Sequence, residues 1–189
     1  NGIKNMNIEQ TKLKDLVIIT PEIHEDERGF FMELYRKSEF EQAGFISNYV
    51  QDNQSHSKKD VVRGLHFQWE PMLGKILRVA NGSVYAVAVD IRKKSKTLGG
   101  WIGVEISQQN KLQLYAPPGF ATGFCALSEN TDVQYKYSAY YNPKGESNIL
   151  WNDSDIGIKW PTTNPIVSER DNQAQTFKEW LKTKESDNF

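Results

Sequence analysis

The stretch Val61–Gln68, VVRGLHFQ, sets an arginine and a histidine three positions apart inside an otherwise apolar, strand-like run. A guanidinium suits a phosphate and an imidazole moves protons near neutral pH, so the pair suggests proton chemistry beside an anionic group. Read alone, His66 is equally a core histidine satisfied by one backbone bond. Strand alternation turns Arg63, Leu65 and Phe67 one way and His66 and Gln68 the other. Arg63 and His66 can therefore share a site only if the strand bends at Gly64. Lys75, in KILRV, points with Leu77 and Val79, an awkward direction for an ammonium unless the strand faces a cavity or a ligand. In VQYKYSAYYN, alternation places Tyr135, Tyr137, Ala139 and Tyr141 on one face, a polar, stackable wall rather than plain core.

The remaining reactive side chains carry weaker signals. The chain has three histidines, and His24 and His56 stand in polar surroundings, EIHEDE and SHSKKD, where solvation is expected. No two histidines lie closer than ten positions, so no metal site is expected. Cys125, in GFCAL, reads as a small buried hydrophobe with no histidine near it in sequence.

The elements that must position these groups are mostly strands. DLVIIT, FFMELY, SNYVQDN, VVRGLHFQ, KILRVANGSVYAVAVDI, WIGVEIS, KLQLYAPP and VQYKYSAYYN are short and rich in β-branched and aromatic residues, separated by turn chemistry such as DERG, NG, SQQN, PPG and NPKG. This spacing predicts an antiparallel β-sandwich or barrel. Asn81-Gly82 is the strongest hairpin signal, and both faces of the strand that follows it read as buried. Helix is expected at Lys37–Gly44 and, amphipathic, at Ala174–Lys184 with Phe177, Trp180 and Leu181 on one face; the tail ESDNF is expected to fray.

A length of 189 residues predicts one domain over 1–189, with a C-terminal helix and tail at 176–189. The opening NGIKNM is left out of the fold argument. Charge is balanced, 23 Lys plus Arg against 24 Asp plus Glu, without a basic stripe, so nucleic acid is not an expected partner. No apolar run has the length of a membrane span and NGIKNMNIEQ lacks a charged-then-apolar signal pattern. A cytoplasmic location without a membrane partner is expected, in keeping with a lone cysteine that cannot form an internal disulfide.

Taken in order, DERGFF, VQDNQS, RGLHFQ, VAVDIRKKSKTLGGWIGVEIS, PPGFATGF, ILWNDSDIGIKWP and SERD resemble the dTDP-4-dehydrorhamnose 3,5-epimerase family over about residues 13–175, and the resemblance sets these as the bounds of the core. The resemblance implies an all-β jelly roll of the cupin-like type with a few short helices, a homodimer, no cofactor and no metal. It also implies inversion at C3 and C5 of a 4-keto-6-deoxyhexose carried on dTDP, on the way to L-rhamnose. By the same resemblance His66 is the base, Asp171 of SERD orients it, Lys75 meets the enolate oxygen and Tyr135 is the acid on the opposite face. Tyr141 would stack on nucleotide or sugar, Arg63 would bind diphosphate with help from Arg28, which the resemblance allows to come from a partner subunit, and Glu33, Gln51 and Asn53 would surround the thymidine. Arg170 matches a basic family position beside the aspartate.

Two positions depart from the family pattern. Ala86 stands where the family has an aspartate, and Thr122, a candidate substrate contact, where it has a histidine. A second dyad is thus missing in both halves, and losing both members of a buried pair costs far less than losing one. Alternative readings are an enzyme that inverts a single centre or takes another nucleotide such as CDP. A non-catalytic sugar-nucleotide binding cupin would be expected to damage the first dyad, which is intact.

Overall fold

The computed structural model describes residues 6–189. Fourteen strands appear among them: β1 (Met6–Gln10), β2 (Val17–Pro21), β3 (Ile23–Asp26), β4 (Gly29–Met32), β5 (Gln51–Ser57), β6 (Val61–Gln68), β7 (Lys75–Asn81), β8 (Ser83–Asp90), β9 (Trp101–Ser107), β10 (Gln113–Ala116), β11 (Phe120–Ala126), β12 (Thr131–Tyr137), β13 (Glu146–Asn148) and β14 (Ile166–Val167). Three short helices accompany them, α1 (Lys37–Gln42), α2 (Glu169–Asn172) and α3 (Phe177–Trp180). One sheet runs β1-β2-β10-β7-β12-β5 and the other β13-β6-β11-β8-β9, with β14 parallel to β6 and every other pair antiparallel. The result is a jelly roll, the fold expected from the sequence.

Alternation explains how the two sheets close on each other. Ile18, Leu77, Val79, Leu114 and Val133 of the first sheet meet Val84, Ala86, Ala88, Ile106, Phe120 and Phe124 of the second in one buried cluster. The opposite faces are also covered. Leu65, Phe67, Val87 and Val89 pack under Ile149, Ile156, Phe177 and Trp180, while Val17, Ile19, Ile76 and Tyr115 pack under Phe40 of α1. Covering both faces removes the alternating pattern, because every position of a doubly buried strand favours a small or apolar residue. That is why β11, FATGFCA, buried at all seven positions, escapes a search for alternation although it lies at the centre of its sheet.

Several expectations need correction. Asn81-Gly82 does not close a hairpin: β7 and β8 belong to different sheets, and the turn carries the chain from one to the other. Gly82 takes φ +77 there, and a Cβ would sit 2.4 Å from Asn130 O. The C-terminal helix is only four residues long. A capping box between Thr176 and Glu179 starts it, and Thr183 Oγ1 then donates to Trp180 O at 2.8 Å and Ser186 Oγ to Thr183 O at 2.7 Å, local bonds that compete with further helix. The tail does not fray but turns in a 3₁₀ helix over Glu185–Asn188, burying Ser186 and setting Phe189 against Phe67 and Trp180. β12 stops at Tyr137, so Tyr141 lies in a loop and not on the strand face shared by Tyr135 and Tyr137. α1 forms as expected, with Gly44 just beyond it at φ +76.

The bend at Gly64 is present. Thr122 pairs with His66 and Phe124 with Arg63, so β6 carries one residue more than β11 between those pairs. The extra residue returns Arg63 to the face that His66 occupies. Gly64 adopts φ +134, and a Cβ there would lie 2.6 Å from Gly123 Cα and 3.1 Å from Thr122 O. Gly64→Ala is therefore expected to lower unfolding stability by about 2 kcal/mol or more in a urea titration; an unchanged midpoint would contradict the crowding seen here.

Candidate active site

Two distant segments meet at the bulge. His66 Nε2 donates to Asp171 Oδ1 at 2.7 Å. The tautomer that this bond requires leaves Nδ1 as the basic nitrogen. Asp171 sits on α2, whose N-cap is Ser168: its Oγ accepts from Asp171 N at 3.1 Å, fixing the backbone that carries the carboxylate. Gly64 N donates to Oδ2 at 3.2 Å and Asn148 Nδ2 to Oδ1 at 3.0 Å. Burial pushes the Asp171 carboxyl up, but the bond and charge of His66, with Gly64 N and Asn148, outweigh it and hold the group below the ordinary carboxylate range. The imidazole thus rests on a permanent carboxylate.

Lys75 reaches from β7 across the interior to the facing sheet. Its Nζ donates to His66 O at 3.0 Å and to Thr122 Oγ1 at 3.1 Å, both uncharged acceptors, and lies 5.6 Å from the Tyr137 ring centre. The residue is only 9% exposed, and burial pushes its ammonium down to about 8 despite the field of Glu146. Thr122 takes its place beside Lys75. Ala86 is fully buried in the apolar core diagonally from it, since Thr122 pairs with Ala88 and Phe124 with Ala86. No ionisable side chain occupies either position.

The other sheet supplies the opposite wall. Tyr135 Oη lies 3.0 Å from Ser55 Oγ, and burial pushes the phenol well up, with the Ser55 bond only partly opposing it. His66 on β6 and Tyr135 on β12 belong to facing sheets, so the imidazole and the phenol are carried on opposite sides of the interior. Gln51 Nε2 donates to Asn53 Oδ1 at 2.9 Å, and Gln51 Oε1 accepts from Tyr141 N at 2.9 Å. Asn53 Nδ2 is left buried without a partner, a donor that a ligand carbonyl could satisfy. Arg63 donates to Ser57 Oγ at 3.1 Å and to His56 O at 3.0 Å, while His56 itself pairs with Asp132 at 2.9 Å and remains largely exposed.

Arg63 and Arg170 line one cleft of about 380 Å³ with His66, Asp171 and the β14 residues. Two guanidiniums flanking a histidine and carboxylate pair suit a diphosphate. Arg170 is also tied to Glu146 at 2.5 Å, and Tyr141 Oη donates to Glu146 Oε1 at 3.1 Å. Arg28 and Glu33 are not brought to this cavity by their own chain. Arg28 is held by Asp26 in the turn of the β3–β4 hairpin, which pairs with neither large sheet, and Glu33 pairs with Arg36.

Four contributors escape the motif reading: Ser55, Asn148, Glu146 and Gln68. Ser55 had a signal, because Gln51, Asn53, Ser55 and Ser57 occupy every second position of β5 and an all-polar inward face needs a polar interior. Asn148 and Glu146 lie on a three-residue strand with no pattern to read. Cys125 is buried and its thiol pushed up to about 11 by that burial, in keeping with a packing role. Among the described residues no helix is long and apolar enough to cross a membrane.

With this geometry in hand, comparison with known proteins gives a consistent answer. The family model for dTDP-4-dehydrorhamnose 3,5-epimerase matches residues 10–179. A dTDP-4-dehydrorhamnose 3,5-epimerase of Shigella flexneri is 48% identical over 174 residues, covering 91% of this chain and 96% of its own. A crystal structure of a dTDP-6-deoxy-D-glucose-3,5-epimerase from Legionella pneumophila, in complex with dTDP-4-keto-L-rhamnose, is similar at TM-score 0.91 and 42% identity, covering 96% of each chain. A 3'-monoepimerase from Streptomyces bikiniensis, in complex with dTDP-quinovose, is similar at TM-score 0.87 and 28% identity, covering 92% of this chain and 89% of that one.

The Lys75 environment can be tested directly. Its folded value of about 8 lies below the ordinary 10.5, so between the two the unfolded chain holds the extra proton and this group makes stability rise with pH. A ¹⁵N-lysine NMR titration is expected to show one Nζ titrating near pH 8, absent in Lys75→Met; a Lys75 midpoint above 10 would contradict the desolvated pocket.

Proposed function

The chain belongs to the dTDP-4-dehydrorhamnose 3,5-epimerase family, and we propose that it inverts carbon centres next to the C4 ketone of a dTDP-4-keto-6-deoxyhexose. The observation that carries this reading is the 2.7 Å bond of His66 to the buried Asp171 carboxylate, with Lys75 reaching His66 O from the sheet that holds Tyr135. A C–H beside a ketone is acidic because the electron pair left behind delocalises onto the carbonyl oxygen. Inversion needs a base on one face of the sugar, a positive group at the oxygen and an acid on the other face.

His66 Nδ1 takes the proton, and the C–H pair becomes a carbon–carbon double bond as the carbonyl π pair moves to oxygen. Asp171 stabilises the imidazolium without accepting the proton. Lys75, still largely protonated at pH 7 with its value near 8, meets the enolate oxygen. The Tyr135 phenol, kept protonated by burial, gives its proton to carbon from the opposite side, and the imidazolium and phenolate then re-equilibrate through solvent. Arg63 and Arg170 hold the diphosphate, Asn53 offers its unused amide to the nucleobase and Tyr141 stacks on the nucleotide or sugar.

A homodimer belongs to the same proposal. The β3–β4 hairpin stands apart from both sheets and exposes Phe30 and Phe31, and a second copy would cover these rings while receiving Arg28 and Glu33 at its own cavity. Thr122 and Ala86 favour a second reading in which only one centre is inverted, since neither side chain can itself take or give a proton as a histidine and carboxylate pair would.

Incubation with dTDP-4-keto-6-deoxyglucose in heavy water, read by mass, decides between them. Two deuterons per sugar are expected for a 3,5-epimerase and one for the second reading, with exchange slowed about a thousandfold or more in His66→Ala. No exchange by the unaltered chain would reject both.

A further inference from the structure

We propose that Gln68 is a positioning residue that clamps residues 140–142 and so presents Tyr141 to the nucleotide sugar. Gln68 lies two residues beyond His66 on β6, is 3% exposed, and spends its amide on backbone outside its own strand. Its Nε2 donates to Pro71 O at 2.9 Å and to Tyr140 O at 3.0 Å, and its Oε1 accepts from Asn142 N at 2.9 Å. The backbone N of Tyr141, between those two contacts, is taken by Gln51 Oε1. Two glutamines from opposite sheets thus hold three successive residues of a loop that no strand pairing supports.

The ring of Tyr141 is held from the same place. Gln68 and Glu146 are cross-strand partners in the β6–β13 pair. Gln68 takes the backbone on either side of Tyr141 while Glu146 takes its hydroxyl and, through Arg170, joins the residue next to Asp171. One strand pair therefore carries His66 and sets the height and tilt of the half-exposed Tyr141 ring. A buried amide with all three bonds to foreign backbone is costly to replace with an apolar side chain, because each loop group it served must find water or go unpaired.

The inference rests on the reading above that the cavity takes a dTDP-sugar, and dTDP itself is the probe. Calorimetric binding of dTDP to the full chain is measured for the unaltered protein, Gln68→Leu, Tyr141→Ala and the double variant. Each single change is expected to weaken binding about tenfold, the scale of one lost aromatic stack, and the double variant no more than Tyr141→Ala alone. Gln68→Glu, which keeps the acceptor for Asn142 N but loses both donations, is expected to fall between the unaltered chain and Gln68→Leu and serves if the leucine variant does not fold. Independent, multiplying losses in the double variant, or a lowered melting temperature with dTDP affinity unchanged, would overturn the role given to Gln68 while leaving the substrate reading intact. An unaltered chain that does not bind dTDP would overturn both.

Discussion

Everything at the site depends on burying the Asp171 carboxylate where β6, β13 and α2 meet. An ionised carboxylate out of water is stable only when its lone pairs are used, and here His66, Gly64 N and Asn148 use them. Each of those donors imposes a demand on the fold. Gly64 N is available because the bulge turns the backbone there, Asn148 because β13 adds to the edge of β6, and Asp171 itself because the Ser168 cap fixes a four-residue helix too short to be stable alone. The bulge that frees the Gly64 amide also returns Arg63 to the His66 face. Imidazole, guanidinium and local backbone distortion are one arrangement.

Burial acts on the two other reactive groups in one chemical sense, toward the neutral form, although it moves their titrations in opposite directions. It lowers the Lys75 ammonium to about 8, where the charge remains at pH 7 with a carbonyl and a hydroxyl as its hydrogen-bond acceptors. It raises the Tyr135 phenol, which keeps the hydroxyl protonated. A jelly roll produces this environment with few residues: the apolar inner faces of two sheets exclude water, and a few polar inward positions on β5, β6, β7 and β12 stand beside them.

Much of this was legible in the sequence, and the parts that were not share a cause. Lys75 stands out because an ammonium in register with Leu77 and Val79 needs polar acceptors inside, and His66 O and Thr122 Oγ1 supply them. The conditional meeting of Arg63 and His66 could be stated, but whether the strand bends depends on Gly123 lying against Gly64 across the sheet, a contact between residues far apart in the chain. β11 was hidden by its own complete burial. Asn81-Gly82 was read through local turn chemistry, yet which sheet β8 joins is decided by pairing with β9 and β11. Tyr141 was placed by alternation on a strand that has ended, and the glutamines that hold it in a loop act through backbone contacts that residue types do not announce. Ala86 and Thr122 were visible as departures only against the family pattern.

The central claim is that Asp171 serves the reaction through His66 and not through ligand binding. Asp171→Asn preserves the size of the side chain while removing the charge that steadies the imidazolium. The account predicts that exchange of carbon-bound hydrogen on dTDP-4-keto-6-deoxyglucose falls by about a thousandfold or more while dTDP affinity stays within about twofold of the unaltered chain. Exchange at the original rate, or a loss of exchange matched by an equal loss of dTDP affinity, would contradict it.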